Sequence, residues 1–141
     1  PMRFERERAK PIDCVSEKQL LRGLSFMEGM SDCRIAILSA ANGDYIQVGG
    51  SGMTCVLERR VDKRQFRAFQ DPPVVPWPGT TELRISGGIV SLRQDEFFRI
   101  TQVRDAFVAF FRGESLPGFI SWRDITGGLA KNVEQAAPSN R

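Results

Sequence analysis

The sequence predicts an α+β fold in which helices pack on one face of an antiparallel β-sheet. Three observations carry that reading. Apolar residues between Arg99 and Arg112 recur at helical spacing. Short runs rich in β-branched and apolar residues, separated by glycine turns, fill positions 33–70. A second helix-period stretch stands before those runs. Tight turns between successive strands favour hairpins over crossovers, and helices set beside such a meander give an α+β layering.

The chain is taken in order. Residues 1–11 mix Arg, Lys and Glu with Met2 and Phe4 and are expected to form a charged flexible arm. A single α+β domain is expected over 12–128 and a polar, flexible tail over 129–141. Ser16 and Gln19 have the spacing of a capping box. Leu20, Leu21, Leu24 and Met27 continue as one apolar stripe, so a helix is expected over 17–28, stopped by Gly29.

The runs CRIAILSA, DYIQVG, MTCVLERR and RQFRAFQ read as four strands. Asn42-Gly43 supplies the first turn, because that pair accepts positive φ. Gly49-Gly50-Ser51-Gly52 reads as the second. The stretch DPPVVPWPGT, Asp71 to Thr80, cannot be a central strand, because each proline removes a ladder donor. It reads as a stiff loop with Trp77 at its centre. LRIS and IVSL, divided at Gly87-Gly88, form one bulged strand or a small hairpin.

In the closing helix Val103, Ala106, Phe107, Phe110 and Phe111 make one wide apolar face. Thr101 offers a hydroxyl near its start, and Gly113 is the stop, with Pro117 beyond. Leu116, Phe119, Ile120 and Trp122 then fold back and pack, which gives Trp122 a structural role. The chain turns again at Gly127-Gly128.

Composition narrows the chemistry. The 141 residues include no histidine. That removes Ser-His-Asp and Cys-His nucleophile systems and histidine-ligated zinc. Cys14, Cys33 and Cys55 lie far apart in sequence and read as reduced, buried thiols in a cytosolic protein. No metal or other cofactor is expected. No run of eighteen apolar residues occurs, so no membrane span is expected. The charged start PMRFERERAK is followed by no apolar signal core, and a cytoplasmic location is expected. Net charge is +3, which permits an acidic partner without demanding one.

Several constellations resolve into ordinary structure. Gly49-Gly50-Ser51-Gly52 lacks the Gly-Lys-Ser/Thr ending of a phosphate loop. Asp95 and Glu96 are adjacent carboxylates, expected to be solvated because strand neighbours point to opposite faces. Glu58 to Arg67 is the most basic run. It reads as the charged face of a hairpin, with phosphate tracking and base stacking by Phe66 or Phe69 as the alternative. Trp77 is either an interface anchor or a cover for a sheet edge. A small enzyme using Asp95, Glu96, Tyr45 or a cysteine ranks last.

Several stretches together resemble the first-numbered immunity family of bacterial polymorphic toxin systems. They are the helix after Asp13 with Leu20-Leu21, and the strand Ile35 to Ser39 turning into Tyr45-Ile46-Gln47-Val48. Later come GGIVSLRQDEFFRITQVRDAFVAFF, similar to the family's Gly-Gly strand and aromatic-rich helix, and SWRDI, similar to its closing Trp-plus-acidic pattern. The likeness runs over roughly residues 12–126. It implies an α+β fold, no enzyme activity, and tight binding to a cognate toxin protein, with deaminase and nuclease toxins both in range. A nucleic-acid partner is not expected. Toxin-contacting positions vary within the family, so the candidate contacts rest on chemistry alone: Arg60, Lys63 and Arg64 of the basic hairpin, and Asp71 and Trp77 of the rigid loop. A preordered proline loop loses little entropy when it docks.

Overall fold

The computed structural model describes residues 2–14, 16–28, 34–76, 80–85 and 88–127. It has the expected α+β class: two helices lie on one face of an antiparallel sheet. In chain order the strands are β1 (Met2–Arg6), β2 (Ile12–Cys14), β3 (Arg34–Ser39), β4 (Tyr45–Ser51), β5 (Thr54–Val61), β6 (Arg64–Phe69), β7 (Thr80–Ile85), β8 (Gly88–Arg93) and β9 (Ser121–Asp124). The helices are α1 (Glu17–Leu24) and α2 (Ile100–Arg112). Seven strands form the main sheet in the order β2-β1-β3-β4-β5-β6-β9, and β7-β8 is a separate hairpin.

The charged start is not an arm. Met2–Arg6 pairs with both β2 and β3, and Phe4 is buried in the core. Strand alternation explains how so charged a segment is held: Phe4 turns inward between Arg3 and Glu5, which pair with each other at the surface. The expected tail, Gly29, Cys33, Trp77, Gly87 and Gly128 lie outside the described residues.

Helix α1 begins as its sequence dictates, with the Ser16 hydroxyl accepting from the Gln19 amide at 3.1 Å. It ends earlier than expected, at Leu24, and tightens into a 3-10 turn over Ser25–Met27. Helix α2 is capped differently from expectation. Thr101 lies inside the helix, and the Arg99 amide at its start donates to the Gln102 side chain at 3.0 Å. Gly113 ends it at φ 73°, the left-handed conformation a C-terminal glycine supplies at little cost.

Phe107, Val103 and Ala106 of α2 are fully buried over Leu38, Ile46, Val48, Leu57 and Ala68 of the sheet and against Leu20 and Leu24 of α1. Phe110 and Phe111 are half-buried at the margin of this core. The adjacent Phe97 and Phe98 separate. Phe98 joins the helix-side core, whereas Phe97 joins a second cluster with Val56, Val75 and Leu92. That second cluster belongs to the opposite face of the sheet. There the β7-β8 hairpin and Val75 of the proline loop cover part of the surface, so the domain is three layers thick at that end. The segment after α2 folds back, with Ile120 in the core and Trp122 joining the sheet as part of β9 beside Ala68, but Phe119, expected to pack, stays 42% exposed.

The glycine run lies largely in a strand and not in the expected turn. Gly49, Gly50 and Ser51 belong to β4, and the turn itself is Gly52-Met53. A side chain at Gly49 would overlap Ile85 of the hairpin.

Candidate functional site

The basic run Glu58 to Arg67 folds as the β5-β6 hairpin, closed at Asp62-Lys63 with both residues at positive φ. A period of two then divides its charges between the two faces of the sheet. Arg59 and Arg64 fall on the helix side, where Arg59 stacks over Trp122 at 4.4 Å and Arg64 pairs with Asp124. Arg60 and Arg67 fall on the other side. Of the three basic candidates, Arg60 and Lys63 therefore remain without an ion pair among the described residues, and Arg64 is already engaged.

Asp71 is exposed, and its peptide bond to Pro72 is cis. It follows the far end of β6 and is separated from Arg64 by at least the length of that strand, about 17 Å at the usual rise per residue. The structure therefore does not gather Asp71 with the basic candidates. Trp77 lies outside the described residues.

The Arg64–Asp124 pair carries a pH prediction. Hydrogen bonds from Thr126 hold the Asp124 carboxyl below its ordinary value of 3.8, and Arg64 adds to the effect. A lowered folded-state value stabilises the fold above the unfolded-state value and loses that contribution as pH falls through the folded one. An NMR titration is expected to place the Asp124 midpoint below 3.8 in the parent and to move it upward in Thr126→Ala.

The most structured chemistry on the far face of the sheet is a cross-strand row. Gln47, Glu58, Arg67 and Arg123 stand opposite one another in register across β4, β5, β6 and β9. Gln47 donates to Glu58 at 3.1 Å, and Arg67 pairs with Glu58 at 2.8 Å. Arg67 and Arg123 are then like charges directly opposed, which by itself is unfavourable. The acid that resolves this comes from outside the sheet. Glu96, on the short 3-10 turn Gln94–Glu96, bonds Arg123 at 2.5 Å and reaches Arg67 at 3.6 Å. Asp95 adds a second carboxylate to Arg123 at 3.3 Å, and Phe69 covers the guanidinium at 4.3 Å.

Glu96 is 3% exposed and Arg123 1%. The expectation of a solvated carboxylate is therefore corrected at Glu96, whereas the Asp95 side chain stays partly exposed. The two residues sit on a tight turn, where neighbours can converge on one cation. Their partner lies 27 residues on from Glu96, and no local pattern announces it. Glu96 also accepts from the Arg93 amide at 2.9 Å, so its carboxylate is fully engaged. Tyr45 bonds Gln65 elsewhere on that face, and Cys14 and Cys55 are buried in the helix-side core. These groups do not share a pocket. No set of three metal-ligating side chains gathers among the described residues, and no helix among them is long and apolar enough to cross a membrane.

No family model matches the chain, and no curated protein matches it.

Beside the buried row the same face is less covered. A second register row carries Arg3, Ser39, Tyr45 and Arg60 across β1, β3, β4 and β5. Arg3 is exposed, and Ser39, Tyr45 and Arg60 are half-exposed, as are Ile37 and Gln47 in the next row. Lys63 stands at the tip of the adjoining hairpin. Arg60 and Lys63 thus belong to a rigid patch of mixed polarity, four strands and roughly 15 Å wide at standard strand spacing. The alternation of Tyr45 with Ile46 announces a strand and gives no sign that Tyr45 is half-exposed on this face.

Proposed function

We propose that this chain is an immunity protein that binds and neutralises a cognate secreted bacterial toxin domain and so protects the producing cell. The observation that carries the reading is the patch of Ile37, Ser39, Tyr45, Gln47 and Arg60. It mixes an aromatic, an arginine and neutral polar groups on a preordered sheet, the composition favoured at protein interfaces. The stretches that resemble the immunity family support it further, since α1, β3-β4, α2 and β9 converge on one core. The chemistry is that of a binder. The buried acids Glu58 and Glu96 are neutralised by arginines, and the sequence holds no histidine. A cytoplasmic site of action belongs to the same proposal. The alternative of nucleic-acid tracking by residues 59–67 draws less support, because Arg59, Arg64 and Arg67 are engaged within the fold.

Co-expression with the toxin domain encoded beside it is the test. The parent chain is expected to restore growth and to co-purify with the toxin. Tyr45→Ala and Arg60→Glu are expected to weaken the complex by at least about tenfold, as for contacts central to an interface. Failure of the parent chain to bind or protect would remove the proposal.

A further inference from the structure

A second surface lies on the helix side of the sheet, where β1 and β2 meet α1. Phe4 and Ile12 are cross-strand partners and share that face with Arg6. Gln19, Arg22 and Gly23 lie three and four residues apart on the facing side of α1. Gly23 has no side chain, and one there would overlap the Phe4 ring, so the helix approaches the strand closely. Between them opens a groove of about 410 Å³ with an apolar floor that includes Phe4, Ile12 and Gly23.

Three cations line this groove, Arg6, Lys10 and Arg22, and no carboxylate does among the described residues. That imbalance is local. Elsewhere on the surface Arg3 pairs with Glu5, Arg64 with Asp124, Arg104 with Glu28 and Arg112 with Glu17. Arg6, Lys10 and Arg22 form no ion pair among the described residues, and Arg6 only stacks over Phe26 at 5.1 Å. Ile12 is 43% exposed beside them, an apolar side chain left open within a ring of positive charge.

We infer that this groove binds an acidic segment of a partner protein, seating one aliphatic side chain against the exposed Ile12 while flanking carboxylates meet Arg6, Lys10 and Arg22. The floor decides between a peptide and a nucleic acid. A base requires an exposed ring on which to stack, and Phe4 is 2% exposed and presents no face. The volume falls within the usual range of binding pockets and accommodates one side chain with its backbone. The inference does not depend on the identity of the toxin, because the groove lies on the opposite face of the sheet from the Tyr45 patch.

The full chain, labelled with nitrogen-15, is titrated with an acidic pentapeptide carrying a central leucine between pairs of Asp and Glu. The amide signals of Ala9, Gln19 and Gly23 are expected to shift in a saturable and salt-sensitive way. Replacing the leucine by glycine, or introducing Arg22→Glu or Lys10→Glu, is expected to weaken binding about fivefold each, the scale of one exposed charge reversed or one aliphatic side chain lost. Both substitutions lie on exposed side chains, and circular dichroism confirms that each variant folds. Absence of shifts at those amides, indifference to the leucine or to both charge reversals, or a stronger response to a five-nucleotide oligothymidylate would overturn the inference. A positive titration alongside a failed toxin experiment would leave the groove and remove the immunity reading.

Discussion

Arg123→Met is expected to destabilise the domain by about 3–5 kcal/mol, the scale for removing one partner of a buried ion pair. Met retains much of the apolar stem, so the loss reports the charge more than the volume. Glu96 would keep Arg67, at 3.6 Å, as its one cation beside the Arg93 amide, and Asp95 would lose its cation. Urea unfolding measures the effect as a lower midpoint at unchanged slope. The companion experiment is the double variant Arg123→Met with Glu96→Met. It removes both charges while Arg67 keeps Glu58 at 2.8 Å. Replacing a buried ion pair by apolar groups is often neutral, so the double variant is expected to be more stable than Arg123→Met alone. Strict additivity of the two single losses would contradict a coupled network.

Gly50→Ala is expected to cost about 3 kcal/mol or more. Gly50 has φ +100°, where an L side chain is strained by about 1–2 kcal/mol. A methyl group there would also overlap the Thr54 carbonyl oxygen across the β4-β5 turn, adding the about 1–3 kcal/mol typical of overpacking. Gly43 separates the two effects. Its φ is +98°, and nothing lies within 4 Å of a side chain built on it. Gly43→Ala should therefore show the backbone cost alone. Thermal unfolding of the two variants side by side reads the difference as the steric part, and equal losses would refute the overlap.

The elements that could be read from the chain are those whose signals are local. Ser16 capping Gln19, Gly113 ending α2, and Asn42-Gly43 turning β3 into β4 depend on residues within one turn of each other. The stripe through Val103, Ala106 and Phe107 reflects the same helical period. The β1 strand is not legible because Met2 and Phe4 are isolated among charges, and pairing with Ile12 and Leu38 on both sides makes it a strand. The basic hairpin was read as one charged patch because a list of residues does not display the alternation that sends Arg59 and Arg64 one way and Arg60 and Arg67 the other. Asp71 stands seven positions from Arg64 in sequence, yet the extended strand between them carries it to the far end of β6.

By itself the sequence determined the α+β class, the order of hairpins in the meander, the stop after α2 and the lack of histidine chemistry. Each follows from propensity, turn chemistry or composition, which act over a few residues. Tertiary structure alone decided that Glu96 would serve Arg67 and Arg123, that the β7-β8 hairpin would cover part of the second face, and that Arg6, Lys10 and Arg22 would share one groove. Those outcomes depend on register and on which elements bury one another, and long-range pairing is set by the packing of the whole domain rather than by any local run of residues.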